Sequence, residues 1–175
     1  MFKKVLVPLD GSKVAESALA HIKNMAWEGS IGKVILLTIV QAKLPVLDIV
    51  LPEVEILQGL DSKEPQQAEL DRYRNYLKRM KNQLRSEGIK AEAVVSEGDD
   101  PAKNIADFSE ENNVDLIVIA THGYRGMKKL FLGSVASKVV HESHIPVLLI
   151  RVEETAYQLS PGLPDGRPPG VWLHS

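Results

Sequence analysis

Five short apolar runs recur along the chain, separated by stretches whose apolar residues return every three or four positions. The runs are KVLVPL (4–9), KVILLTIV (33–40), KAEAVVSEG (90–98), VDLIVIA (114–120) and PVLLIRV (146–152). Brief β-branched and aliphatic runs bounded by Gly, Pro and Asp read as strands. KVILLTIV is apolar on both faces, as a strand covered on two sides would be, whereas 90–98 alternates and suits a less buried edge. Pro146 heads the last run, where a missing N–H is tolerated.

The intervening stretches read as helices. The first places Ala15, Ala18, Leu19, Ile22, Met25 and Ala26 on one face. From Leu70 the series Tyr73, Leu77, Met80, Leu84 steps by three and four until Gly88 stops it. Asp100-Pro101 supplies an N-cap and a proline at the first helical position, opening a helix that carries Ile105, Ala106 and Phe108. SVASKVVHESH is the fourth helix. The order β-α-β-α-β-α-β-α-β predicts an α/β fold, a single doubly wound five-stranded parallel sheet in the order 3-2-1-4-5 with helices on both faces.

Residues 1–152 carry this pattern, and two pieces lie outside it. Residues 41–69 form a long connection after the second strand. Ten of the seventeen residues from Leu44 to Leu60 are Leu, Ile or Val, broken by Asp48, Pro52, Glu53 and Glu55. That composition suits a surface excursion packing its own apolar residues, a dimer surface, or a lid. Residues 153–175 end in SPGLPDGRPPGVWLHS, too rich in Pro and Gly to pack regularly, and are expected to be a flexible tail.

Composition narrows the chemistry. The formal net charge of −2 is spread along 175 residues, which gives no electrostatic pull toward nucleic acid or an anionic membrane. With no cysteine, thiolate catalysis, iron–sulfur clusters and thiolate zinc sites are excluded. The first apolar run is too short for a signal-peptide core, and no stretch approaches the roughly 18 uninterrupted apolar residues of a membrane span. A cytoplasmic location is the expectation.

Ligands of open parallel sheets settle beyond the carboxyl ends of the strands. The segment after strand four, ATHGYRGMKKLFLGS, is the richest of these loops. Gly123 and Gly126 allow close approach of backbone to a ligand, Arg125, Lys128 and Lys129 add positive charge, and Gly133-Ser134 opens a helix whose free N–H groups favour an anion. It reads either as a phosphate cradle or as a plain strand-to-helix connection. It is neither a GxxxxGK[ST] loop nor a GxGxxG fingerprint. Asp10 stands alone after strand one, so the paired acids of a receiver domain are missing, as are the phosphate loops of flavodoxins and of ATP-dependent ligases. His141 and His144, three apart at a helix end, read as solvated residues complementing the helix dipole rather than as metal ligands. No nucleophile, base and orienting residue can be picked out as a set, so a committed catalyst is not expected.

Three segments carry a family resemblance: KKVLVPLDGSKVAESAL near the start, VDLIVIATHG, and LFLGSVASKVVHESHIPVLLIR. Together they resemble the universal stress protein family, over residues 2–152 apart from the long connection. The motif G-x2-G-x9-G-[ST] is met by Gly123 and Gly133-Ser134, while Ala120 replaces its first glycine. The ATP-binding branch of the family implies adenine near Pro8, Asp10 and the backbone of Ile39, with Asp10 accepting a hydrogen bond from adenine or ribose, or capping the helix. It implies ribose against Ile119 and Ala120, and phosphates wrapped by Gly123, Gly126, Gly133, Ser134, Val135 and Ala136. His122 would reach a terminal phosphate or cation, or stand solvated in the loop. ATP, with AMP or ADP as alternatives, is the implied ligand, slow ATP hydrolysis is the most the chain is expected to do, and Mg²⁺ or Mn²⁺ would be held through the phosphates.

The same resemblance implies a homodimer through residues 146–152, whose apolar edge would otherwise stay unpaired, and a regulatory protein partner. A nucleotide-free interaction protein of the same fold is the competing reading, with Ala120 as its main support. An alanine forced to positive φ would cost about 1–2 kcal/mol, and one in an extended strand nearly nothing.

Overall fold

In a computed structural model the chain is described over residues 1–41, 63–123 and 133–153. Most of the long connection and of the tail, with the readings attached to them, lie outside the described residues. Within them, nine elements follow one another: β1 (Phe2–Pro8), α1 (Lys13–Trp27), β2 (Ile31–Val40), α2 (Lys63–Ser86), β3 (Ala91–Glu97), α3 (Pro101–Glu111), β4 (Leu116–Gly123), α4 (Ser134–Glu142) and β5 (Val147–Glu153). The strands form one parallel sheet in the order β3-β2-β1-β4-β5, as the sequence pattern predicts.

The sheet is apolar on both faces because helices cover both. Val5, Val7 and Leu9 of the β1 region, with Val34 and Leu36 of β2, point to one side and meet Ala18, Leu19 and Ile22 of α1 and Tyr76, Leu77 and Leu84 of α2. Leu6, Ile35, Leu37, Ile39 and Ile117 point the other way, against Ala102 and Ile105 of α3 and Val139 of α4. Each fully buried aliphatic side chain in these layers contributes about 1.5–3 kcal/mol over leaving it exposed.

Three helices hand the chain to the next strand by the same device. At the end of α2, Gly88 has φ +80, and the N–H groups of Gly88 and Ile89 donate to the carbonyls of Arg85 and Leu84. This left-handed cap also brings Leu84 and Ile89 together in the core. Gly29 repeats the arrangement after α1, and Asn113, at φ 52, after α3. Asparagine tolerates that conformation because its short side chain bonds locally. These tight turns gather at the amino ends of the strands, so the longer and more variable connections fall at the carboxyl ends.

Two element boundaries differ most from the sequence reading. Helix α2 begins at Lys63 rather than near Leu70, since its first turns are polar and show no apolar period. Strand β4 runs on to Gly123, three residues past the apolar run, because pairing with β5 continues through Thr121, His122 and Gly123. His122 and Gly123 are therefore strand residues in their backbone, not part of a loop.

Candidate functional site

The sheet opens at the point where its strand order reverses. Strand β1 stays in register with β2 as far as Pro8, opposite Leu37, and the Leu9 N–H still donates to the Leu37 carbonyl at 2.8 Å. Against β4 it pairs only through Val5 with Leu116 and Leu6 with Ile117. At the amino end that seam is fastened by Asp115, whose carboxylate accepts from the Lys4 N–H at 2.8 Å and whose own N–H donates to the Lys4 carbonyl. Beyond Ile117 the two strands part, while β4 continues beside β5 to Gly123. The result is a crevice with Pro8, Leu9 and Asp10 on one side and Ile119 to His122 on the other. This is the switch point at which doubly wound sheets take their ligands.

The β1 side is held by a short hydrogen-bond chain. Thr38, fully buried in β2, donates its hydroxyl to the Leu9 carbonyl at 2.6 Å. Gly11 then turns at φ +86, a conformation that favours glycine, and the chain enters α1. Ser12 is the N-cap, its Oγ accepting from the Ala15 N–H at 3.1 Å. Asp10 is not the cap: its Oδ1 accepts from the Ser12 N–H at 2.8 Å, and Oδ2 has no hydrogen bond among the described residues. The carboxylate thus keeps an acceptor oxygen for a ligand.

Across the crevice stands the start of α4. Gly133 is its N-cap, with φ −53 and ψ 152 and no side-chain cap. Its carbonyl accepts the first helical bond, from Ser137, and its N–H donates to Thr121 Oγ1 at 3.2 Å, which ties the helix start to β4. Among the described residues, a Cβ placed on Gly133 would meet nothing within 4 Å. Neither backbone conformation nor packing among the described residues requires glycine here, and its small size leaves room in front of the helix. The N–H groups of Ser134, Val135 and Ala136 belong to the first turn of α4, which lacks intrahelical acceptors and carries no acidic residue. One turn further, Lys138 pairs at 3.5 Å with Asp100, the N-cap of α3.

Ala120 lies inside β4, opposite Ile150. Among the described residues Asn113 is the one non-glycine residue with positive φ, so the alanine takes an ordinary strand conformation. Pro8, Asp10, Ile119 and Ala120 are brought to the same end of the sheet as Gly133, Ser134, Val135 and Ala136. Ile39 sits near the end of β2, paired with Ser96 of β3, and its side chain is buried on the α3–α4 face. Gly126, with Arg125, Lys128 and Lys129, lies outside the described residues. His141 is engaged within α4, its Nδ1 at 2.7 Å from the Ser137 carbonyl.

Three supporting residues escaped the sequence reading. Thr38 is a lone hydroxyl in an aliphatic run, and that contrast was a usable signal. Thr121 is the polar residue following the apolar part of β4. Tyr76 of α2 is buried beside Leu77, where the apolar period had pointed to Tyr73 instead.

The model of the universal stress protein family matches residues 1–151. Universal stress protein MJ0531 of Methanocaldococcus jannaschii is 32% identical over 151 residues, covering 86% of this chain and 83% of that protein. The solved structure of MJ0577, from the same organism, superposes with a TM-score of 0.65 at 30% identity, over 88% of this chain and 99% of that one. A family member from Arabidopsis thaliana, solved with AMP bound, shares the fold at a TM-score of 0.62 and 18% identity, over 90% and 96% of the two chains. With a family model spanning nearly the whole described fold, the chain belongs to the universal stress protein family.

Proposed function

We propose that this protein binds adenine nucleotide, ATP foremost, in the crevice between β1 and β4, and serves as a nucleotide-responsive regulatory or protective module in the stress response. The observation that carries the reading is the start of α4. Gly133 leaves the helix N-terminus without a side-chain cap, although among the described residues neither strain nor packing demands a glycine there. Free N–H groups and the helix dipole make such a site suited to phosphate. The AMP-bound relative supports an adenine nucleotide as the ligand class.

In this reading the nucleoside lies against Pro8, Asp10 and the end of β2, with ribose beside Ile119 and Ala120. The phosphates approach Gly123, Gly126, Gly133, Ser134, Val135 and Ala136, with His122 toward their far end. A divalent cation, Mg²⁺ or Mn²⁺, would be held mainly by the phosphates and would neutralise part of their charge. Ala120 needs no positive φ, so the alanine takes nothing from the cradle. The protein would work in the cytoplasm as a homodimer joined along residues 146–152, the free edge of the sheet, and would signal to a protein partner.

The test is direct. Nucleotide co-purifying with the protein is identified, and ATP, ADP and AMP are titrated calorimetrically with Mg²⁺. Saturable heat and a raised melting temperature with ATP are expected. No heat and no thermal shift at millimolar ATP would overturn the reading.

A further inference from the structure

Among the described residues the buried serine and threonine side chains are Thr38, Ser109 and Thr121. Two of them give their protons to backbone carbonyls, Thr38 to Leu9 and Ser109 to Ile105, each at 2.6 Å. Thr121, only 8% exposed, does the reverse. Its Oγ1 accepts from the Gly133 N–H at 3.2 Å, and among the described residues its own proton has no acceptor. A hydroxyl that accepts one bond still has its O–H to give, and a buried donor left unmade carries a desolvation penalty.

Strand alternation shows where that proton can go. Val118 and Ala120 face α1 and α2, whereas Ile117 and Ile119 face α3 and α4, and Thr121 continues the second set. Its hydroxyl therefore lies under the start of α4, on the part of β4 that β1 has already left. The helix start has no acceptor to spare: the N–H groups of its first turn only donate, and the Gly133 carbonyl already accepts from Ser137. A ligand oxygen that enters this space finds donors alone.

We propose that Thr121 binds an oxygen of the nucleotide's phosphate chain, as the middle of a relay in which the Gly133 N–H donates to Oγ1 and the hydroxyl proton donates to the anion. This rests on the nucleotide reading above and adds to it a residue in contact with the ligand. The Gly133 N–H, spent on Thr121, acts on the phosphates through the hydroxyl, while the direct backbone donors are those of Ser134, Val135 and Ala136. The bond that Oγ1 receives polarises the hydroxyl and strengthens the one it gives, and an anionic acceptor strengthens it further.

The experiment compares wild type, Thr121→Val, Thr121→Ser and Thr121→Cys in calorimetric titrations with Mg-ATP and with adenosine, and in melting without ligand. Valine keeps the shape of threonine but neither accepts nor donates. It should melt somewhat lower, since the Gly133 N–H loses its acceptor, and bind ATP about ten- to a hundredfold more weakly, with adenosine within about twofold of wild type. Serine keeps the hydroxyl and should hold ATP within about threefold of wild type. Cysteine, close to serine in size but a weak donor and acceptor, should lose ATP as valine does, so the serine and cysteine pair decides the matter even if the valine variant does not fold. If wild type binds ATP and the valine variant binds it equally well, the relay is refuted while the nucleotide reading stands. Equal losses for ATP and adenosine refute the phosphate contact and leave Thr121 a purely structural tie. A serine variant as weak as the cysteine one shows that the hydroxyl is not the operative group. If wild type binds neither ATP nor adenosine, the nucleotide reading fails and this role falls with it.

Discussion

Replacing Gly133 by aspartate should strengthen the fold and weaken the ligand, two effects of opposite sign from one side chain. Gly133 caps α4 with φ −53 and ψ 152, and among the described residues a Cβ there meets nothing within 4 Å, so an aspartate is expected to enter without strain. Its carboxylate can accept from the first-turn N–H groups. Aspartate caps a helix better than glycine by a few tenths of a kcal/mol, and a negative charge at the helix start adds about 0.3–1 kcal/mol. A gain of about 1 kcal/mol raises the melting temperature of a domain this size by roughly 2–4 °C.

The same carboxylate would occupy the space proposed for phosphate. Two unit charges about 4 Å apart repel by about 1 kcal/mol in water and about 4 kcal/mol at an effective dielectric constant near 20. That corresponds to a loss of ATP affinity of roughly fivefold to almost a thousandfold. Melting curves without nucleotide and calorimetric titration with Mg-ATP read the two effects separately. Gly133→Asn, of nearly the same shape but uncharged, should show the steric part of the loss alone. If the aspartate variant binds ATP within twofold of wild type, the start of α4 is not the phosphate site. If it melts well below wild type, the open, unstrained cap described above is wrong.

Three further outcomes are expected. Thr38→Val removes the buried hydroxyl that bonds the Leu9 carbonyl, and should cost about 1–3 kcal/mol in urea denaturation while weakening ATP binding, because Asp10 follows Leu9; an unchanged midpoint would show the bond contributes nothing. Leu148→Glu, at a β5 position 37% exposed on the sheet's free edge, should leave the fold intact but convert a dimer to monomer in sedimentation; a variant that stays dimeric places the interface elsewhere. The third concerns Asp100. Its partial burial opposes the charge, but the N–H groups of Lys103 and Ala102 and the Lys138 ammonium outweigh that and hold its pKa below the ordinary 3.8. A depressed carboxylate pKa gives stability that is full above the unfolded-state value and fades as pH falls through the lower folded one. Wild type should therefore melt above Asp100→Asn at pH 6, and the gap should close as pH falls below the ordinary carboxylate range and through the lowered folded-state value. A gap independent of pH would mean the charge on Asp100 plays no part.

Much of the fold was legible because it is written in local periods. The runs around Val5, Leu36, Val94, Ile117 and Leu149 are strands, and the Asp100-Pro101 pair opens a helix, because a few neighbouring residues suffice to set each preference. The errors fall where long-range contacts override local signal. Thr121, His122 and Gly123 have little strand character of their own, yet β5 beside them extends the ladder. Lys63 to Glu69 lack an apolar face, and α2 includes them because their polar side chains still favour helix. In Asp10-Gly11-Ser12 either polar residue suits a cap, and the positive φ of Gly11 hands the role to Ser12.

The sequence by itself determined the order of elements, the two apolar layers and the residue types able to meet a phosphate. Those follow from spacing and side-chain chemistry, which need no partner to be read. Only the tertiary structure decided that β1 leaves β4 after Leu6 and Ile117, because strand register depends on how two distant segments meet. That divergence opens the crevice and leaves Ala120 an ordinary strand residue. The glycine at 133 was visible from the start. Its meaning came from its place at the start of α4, where among the described residues nothing packs against it, a property of the packed molecule and not of the chain.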